Sequence, residues 1–331
     1  MTGGNPRQED LRGQLTYLRL MLQGMLSVGK LLVTSAGQVL KLRQTGVLEE
    51  HYVRPPRRYE LPDYVEGMAV CRSREKYLRP TRYCNAHAPE VVALAHELGA
   101  FQISDRAFAE AAFDFAKNKM TLEIAPIVGV EETLRRGTGT CFELITVFIA
   151  LCRAAGIKAR YKIFSTQMID AWRGATIDAD PLLQKWYDSL GYFLLEGEGE
   201  AYVDGEWLVA HVGPTAERQA AAGIPISKLG EDAIGSWFSV RPGTIMKLEA
   251  LPVGLATGSR LLHRISPGSM ERVNVSVLHE NARGREILEA AGGIEAYDRA
   301  ARTAARSVDQ RGTRESQPHI HQTQVAQPES R

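Results

Sequence analysis

The 331-residue chain has no paired CxxC cysteines, no HExxH helix, no phosphate-cradling glycine loop, no long uninterrupted apolar run and almost no net charge. Each absence removes a class of protein. The four cysteines, Cys71, Cys84, Cys141 and Cys152, are scattered, which excludes a zinc knuckle and a redox dithiol. A chain of this length needs no disulfide staples, so free thiols point to a reducing, cytoplasmic setting. His87, His96, His263 and His279 sit on separate segments, and His319 and His321 form an isolated pair, so no metal is expected. Gly137 and Gly139 are not followed by a lysine, which leaves neither a P-loop nor a dinucleotide fingerprint and no expected cofactor. Forty basic against 39 acidic side chains give +1, so the chain as a whole has no electrostatic case for a nucleic-acid partner. An apolar fraction of 44% is that of a globular protein. The opening residues are polar and include acids, unlike a signal or transit peptide.

What is present begins with an amphipathic stretch. Between Leu15 and Leu42 the residues Leu15, Leu18, Leu22, Met25, Leu32 and Val39 recur at helical steps, interrupted by polar and basic residues that a bilayer centre would reject. Two uses are open for residues 15–42. The helix docks on the core or on a second copy, or it lies on a membrane surface with Arg19, Lys30, Lys41 and Arg43 reaching headgroups. The run Tyr52-Val-Arg-Pro-Pro-Arg-Arg-Tyr59 follows; its prolines forbid regular helix, and it reads as a solvated basic linker closing an N-terminal segment at about residue 60. Helical patterns cover 89–98 and 105–118, the second with Asp105 as N-cap.

The most informative segment lies in the middle. A polar lead, Gly137-Thr-Gly-Thr140, runs into an apolar helical pattern through Cys152 that stops at Ala155-Gly156. Ile157 to Phe164 alternates as a strand, and Asp204-Gly205 between two short apolar runs marks a hairpin. Cys141 therefore opens a buried helix that precedes antiparallel strands, an α+β layout. A thiol there meets unsatisfied amides and the positive helix end, both of which favour thiolate, with Arg135 and Arg136 just upstream to reinforce the field. The plain alternative is a small buried core residue, as expected for Cys152 in the same helix. From Ala216 to Gly293 prolines break the chain into short pieces, with a helix over Arg283 to Ala291. After about Thr303 the composition is that of a disordered tail. The resulting division is 1–60, a core over 61–215, an extension over 216–302 packed on it, and a tail over 303–331.

Gly139-Thr-Cys141 and the helix and strand through Leu151-Cys-Arg-Ala-Ala-Gly-Ile-Lys-Ala-Arg160 resemble the nucleophile helix and first core strand of the transglutaminase-like superfamily. Glu200-Ala-Tyr-Val-Asp-Gly-Glu-Trp207 resembles its hairpin, and the likeness spans roughly Tyr77 to Thr215. The resemblance implies a papain-like core and Cys-His-Asp chemistry on amides or acyl groups. Two positions depart from it. Where the family has histidine stands Glu196, and where it has the acid stands His211. A carboxylate facing a thiol is mismatched by about four pKa units, roughly 5 to 6 kcal/mol. Three routes stay open: Glu196 as base after environmental tuning, His211 as base oriented by Glu196, or loss of catalysis. The glycines flanking Glu196 read as relaxed constraint, and Glu196, Glu198 and Glu200 as acids facing solvent. The expected function is a cysteine-dependent amidase, peptidase or acyltransferase acting through Cys141 on a peptide, protein or small acyl substrate. The alternative is an inactive scaffold of the same fold. The segments 167–191 and 213–239, with Trp172, Trp186 and Trp237, are the expected pocket walls.

Overall fold

The computed structural model describes residues 6–34, 36–37, 40, 50–232 and 238–315. Helix α1, Pro6–Thr34, packs by Gly13 against Met246 and Leu248. Helices α2, Pro89–Glu97, and α3, Asp105–Asp114, follow, and a π-helical turn, Phe115–Lys119, extends α3. The N-cap of α3 is Ser104, whose hydroxyl accepts from the Ala107 amide, one residue before the expected Asp105. Strand β1, Thr121–Leu122, then leads to α4, Val130–Arg136, and β2, Thr138–Gly139. The two short strands pair in parallel, Thr121 opposite Thr138 and Leu122 opposite Gly139. That pairing sets the approach to α5, Cys141–Ala154.

Helix α5 is the axis of the core and carries buried side chains all round, as a central helix must. Gly156 at φ +90° turns the chain back out of it. The antiparallel sheet beside it contains β3, Ala159–Met168, β4, Phe193–Val203, and β5, Glu206–Ala210. Asp204 and Gly205, at φ +53° and +85°, make the tight hairpin turn that the sequence announced. Helices α6, Asp170–Thr176, and α7, Pro181–Leu190, are inserted between β3 and β4. After α8, Ala216–Ala221, strands β6, Phe238–Val240, and β7, Met246–Leu248, both pair with β3. The sheet thus draws two strands from beyond residue 215.

The C-terminal part is more regular than its prolines suggested. Pro267 does not break a helix; it opens one, at the first turn where its missing amide costs nothing. Helix α9, Leu255–Ile265, is followed by the 24-residue α10, Pro267–Ala290, and α11, Ile294–Glu315. Helix α11 therefore continues past the boundary drawn at 303, and the remainder of the expected tail lies outside the described residues. Helix α10 presses on α8 at Gly284, where a Cβ would sit 1.7 Å from the Glu217 carbonyl oxygen. The basic run at 52–59 is a strap and not a solvated linker. Arg54 pairs with Glu123, Arg58 with Glu217, and Arg57 donates to the Arg135 carbonyl. Among the described residues no helix is long and apolar enough to cross a membrane.

Candidate functional site

Thr140 caps α5 through a reciprocal box: its hydroxyl accepts from the Glu143 amide at 3.3 Å, and Glu143 accepts from the Thr140 amide at 2.8 Å. Cys141 is therefore fixed as the first residue of a firmly capped helix. Glu143 also binds Arg136 at 3.0 Å, and Arg135 binds Glu90 at 2.5 Å. The two arginines upstream are thus committed to acids, and the field expected from them at the thiol is largely cancelled.

The alternation of β4 positions everything else. Its register puts Phe164 opposite Glu196, Lys162 opposite Glu198 and Arg160 opposite Glu200. Gly197 and Gly199 fall on the intervening positions, against α5. A Cβ on Gly197 would lie 3.1 Å from the Phe142 ring, and one on Gly199 would lie 2.8 Å from Phe148. These glycines are packing requirements and not signs of relaxed constraint. The three glutamates are not at the surface either: Glu196, Glu198 and Glu200 are 2%, 0% and 4% exposed. Glu198 pairs with Lys162 at 2.8 Å and Glu200 with Arg160 at 2.6 Å. The Arg160 guanidinium also lies 3.8 Å from the Trp207 ring centre.

Glu196 accepts from the Gly197 amide at 3.0 Å, and its buried carboxyl is electrostatically coupled to the Cys141 thiol. Burial pushes its carboxyl up from the ordinary 4.5 to about 7, against the pull of the Gly197 amide, the thiol and Arg218. Burial also pushes the Cys141 thiol well above its ordinary value, and the neighbouring Glu196 charge adds to the rise. The Phe142 amide and Arg218 work in the other direction and are outweighed. The expectation of a thiolate favoured by the helix end is therefore reversed: at neutral pH the sulfur keeps its proton and the carboxylate carries what charge the pair holds. Burial raises both acids together, so it cannot close the gap between them.

His211 directly follows β5 and is fully buried. Burial, with Lys117, Lys162 and Arg218 nearby, lowers its pKa well below the ordinary value and keeps the ring neutral. Two residues further on, Gly213 stands so close to the cysteine that a Cβ there would lie 3.2 Å from that of Cys141. Two further residues escaped the sequence reading. Arg218, buried on α8 and paired with Glu280 at 2.7 Å, acts electrostatically on Cys141, Glu196 and His211 alike. Lys117, buried in the π-helical turn, donates to the carbonyls of His211 at 3.2 Å and Pro214 at 2.7 Å and to Ser227 at 3.0 Å. Burial lowers its pKa to about 7. Arg218 left one weak trace, a lone arginine in an alanine-rich segment after Pro214-Thr215; Lys117 left none, because a π-turn has no sequence signature.

Aliphatic side chains close the sulfur's other side: Leu122, Ile124, Leu183, Val273 and Val277 cluster with Cys141. Of the expected walls, Trp186 meets Phe193 edge-on at 6.2 Å, while the side chain of Trp172 and all of Trp237 lie outside the described residues. Cys152 is buried in the core, as expected. His96 is satisfied by the Ala69 carbonyl at 2.8 Å. The described residues hold no group of three histidine, cysteine or acidic side chains placed to bind a metal ion.

A helix opened by a cysteine and packed on an antiparallel sheet is a papain-like arrangement. Residues 92–207 match the model of the transglutaminase-like superfamily. A solved structure of a Cytophaga hutchinsonii protein, described as a putative cysteine protease, aligns with 21% identity and a TM-score of 0.30. The alignment covers 42% of this chain and 42% of that one, less than half of either. No curated protein matches the sequence.

Proposed function

We propose that the chain performs cysteine-dependent acyl chemistry through Cys141, with Glu196 as the base in the place where the family has histidine. The observation that supports this most is the coupling of the buried Glu196 carboxyl to the thiol at the capped start of α5. A carboxyl near pH 7 is half ionised at neutrality and suited to accept and return a proton. Because the thiol holds its proton at rest, transfer accompanies attack: as sulfur bonds to the carbonyl carbon, the proton passes to Glu196. The developing oxyanion faces the first-turn amides of α5. Collapse breaks the bond to the leaving group, which takes the proton from Glu196, and a thioester remains on Cys141. Water or an amine then attacks, gives its proton to Glu196, and the thiol is restored by the reverse transfer. Arg218 holds the anionic character of the site, and the neutral His211 ring contributes polarity without charge.

A second reading has its own observation. Val273 and Val277 of α10 pack beside Cys141, and a thiol held protonated beneath them fits a binding module that keeps the fold without the chemistry. One experiment separates the two. Wild-type protein is incubated with an activated aryl ester and weighed intact. The enzyme reading expects a single acyl adduct, absent in Cys141→Ala and slowed by roughly a hundredfold in Glu196→Gln. If no adduct forms, and iodoacetamide labels the partly exposed Cys71 faster than Cys141, the module reading replaces it.

A further inference from the structure

Helix α1 docks by a face other than its apolar stripe. Gly13, Tyr17, Leu20 and Gly24 are its buried positions, with the Gly13 backbone against Leu248 and Met246 of β7. The stripe expected to dock faces outward: Leu15, Leu18, Leu22, Met25, Leu26 and Val33 are between 55% and 83% exposed. At 3.6 residues per turn these six occupy an arc of roughly 100°. Six large apolar side chains contiguous on one exposed helix face are more than a monomer surface ordinarily carries. Leu32 and Val39, also expected in the stripe, have no described side chains.

Charge decides what covers it. Residues 11–48 contain Arg12, Arg19, Lys30, Lys41 and Arg43 and no acidic residue. Arg12, Arg19 and Lys30 are exposed along one edge of the stripe. Two copies laid stripe to stripe would therefore bring arginines together with no carboxylate between them, a pairing that coiled-coil flanks avoid. A surface of anionic headgroups meets the same edge favourably. Beside that edge a cavity of about 120 Å3 lies between α1 and the segment joining β6 to β7, and Arg19 and Arg241 both line it with Gln23 and Thr244. Tyr192 braces the wall, stacking under Arg241 at 3.7 Å and donating to Gln23 at 3.0 Å.

We infer that α1 is a membrane-surface helix: its outward stripe enters the acyl boundary of an anionic phospholipid leaflet, and Arg19 with Arg241 takes a lipid phosphate. The seat is peripheral, independent of the chemistry at Cys141. The test floats the full-length protein with vesicles of phosphatidylcholine alone and of phosphatidylcholine with phosphatidylglycerol. Flotation is expected only with the anionic vesicles and is expected to fall as salt rises. Leu18→Asp with Leu22→Asp is expected to weaken binding by more than about tenfold, and Arg19→Gln by roughly fivefold. Both variants alter exposed side chains, so their melting temperatures should match wild type. The inference is overturned if wild type ignores the anionic vesicles, or if the double aspartate variant floats as well as wild type. It is also overturned if sedimentation shows a dimer that the double variant dissolves while no vesicle is bound, since a second copy then covers the stripe.

Discussion

Along β4, Gly197, Gly199 and Ala201 turn toward α5, while Glu196, Glu198 and Glu200 turn away from it. On the first side β4 itself has almost no side chains, and Phe142, Ile145 and Phe148 supply the volume between helix and strand. On the second side the strand brings carboxylates, β3 brings Arg160 and Lys162, and α8 and α10 bring Arg218 and Glu280. Both sides are dry, yet they are held by different forces. The glycine side gains from close dispersion contact and has no freedom of size. The ionic side tolerates burial because Glu198, Glu200 and Glu280 each have a cationic partner, leaving Glu196 as the carboxyl whose burial costs most, and it contributes less to stability than to position. Cys141 sits where the two meet, which explains a thiol that is both packed and charge-coupled.

Crowding the glycine side should have the largest effect. Gly199→Val places new carbons where Phe148 already stands, and the loss is expected to reach about 3 kcal/mol or more in denaturant unfolding. A variant as stable as wild type would mean that the helix can lift from the sheet.

Next comes neutralising an acid on the ionic side. The folded Glu196 carboxyl binds more protons than the unfolded one between pH 4.5 and about 7, so this group removes stability as pH rises through that window. Glu196→Gln should therefore be more stable than wild type at pH 8, by about 2 kcal/mol, and should lose that advantage below pH 5. Melting curves at the two pH values check it; an unchanged difference between them would show that the charge is not buried.

Lys117 supplies the opposite sign. Its folded pKa of about 7 lies below the unfolded 10.5, so the unfolded state binds more protons between those values and stability rises with pH. Between pH 7 and 9 wild type should gain about 2 kcal/mol from this group, and Lys117→Met should lack that gain. Equal slopes for the two proteins would refute a buried lysine clamp. The smallest effect is expected outside both faces, at the strap. Arg58→Ala removes a partly exposed pair with Glu217, which Arg285 also reaches, and should cost at most about 1 kcal/mol.

Much of the α5 side was legible in the sequence. Apolar period, the Ala155-Gly156 stop and the Asp204-Gly205 turn are local codes, written within a few residues and obeyed by the structure. The family motif around Cys141 reads the same local information. The ionic side was not legible. Glu196, Glu198 and Glu200 look like any solvated strand edge until the fold buries them, with Arg218 acting on Glu196 and Asp232 sharing Lys162 with Glu198 from chain beyond the hairpin. The arginines at 135 and 136 were read as a field on the thiol, whereas the fold spends them on Glu90, Glu123 and Glu143.

By itself the sequence determined which helix opens on the cysteine and which strands form the hairpin that carries Glu196 and precedes His211. Local propensity and alternation suffice for that, because each depends on neighbours within one or two turns. Only the tertiary structure decided the state of those groups: a protonated thiol, a carboxyl poised near 7, a neutral imidazole, and an α1 stripe facing outward. Protonation and exposure depend on desolvation and on charges brought from distant segments, and no stretch of chain carries its own dielectric.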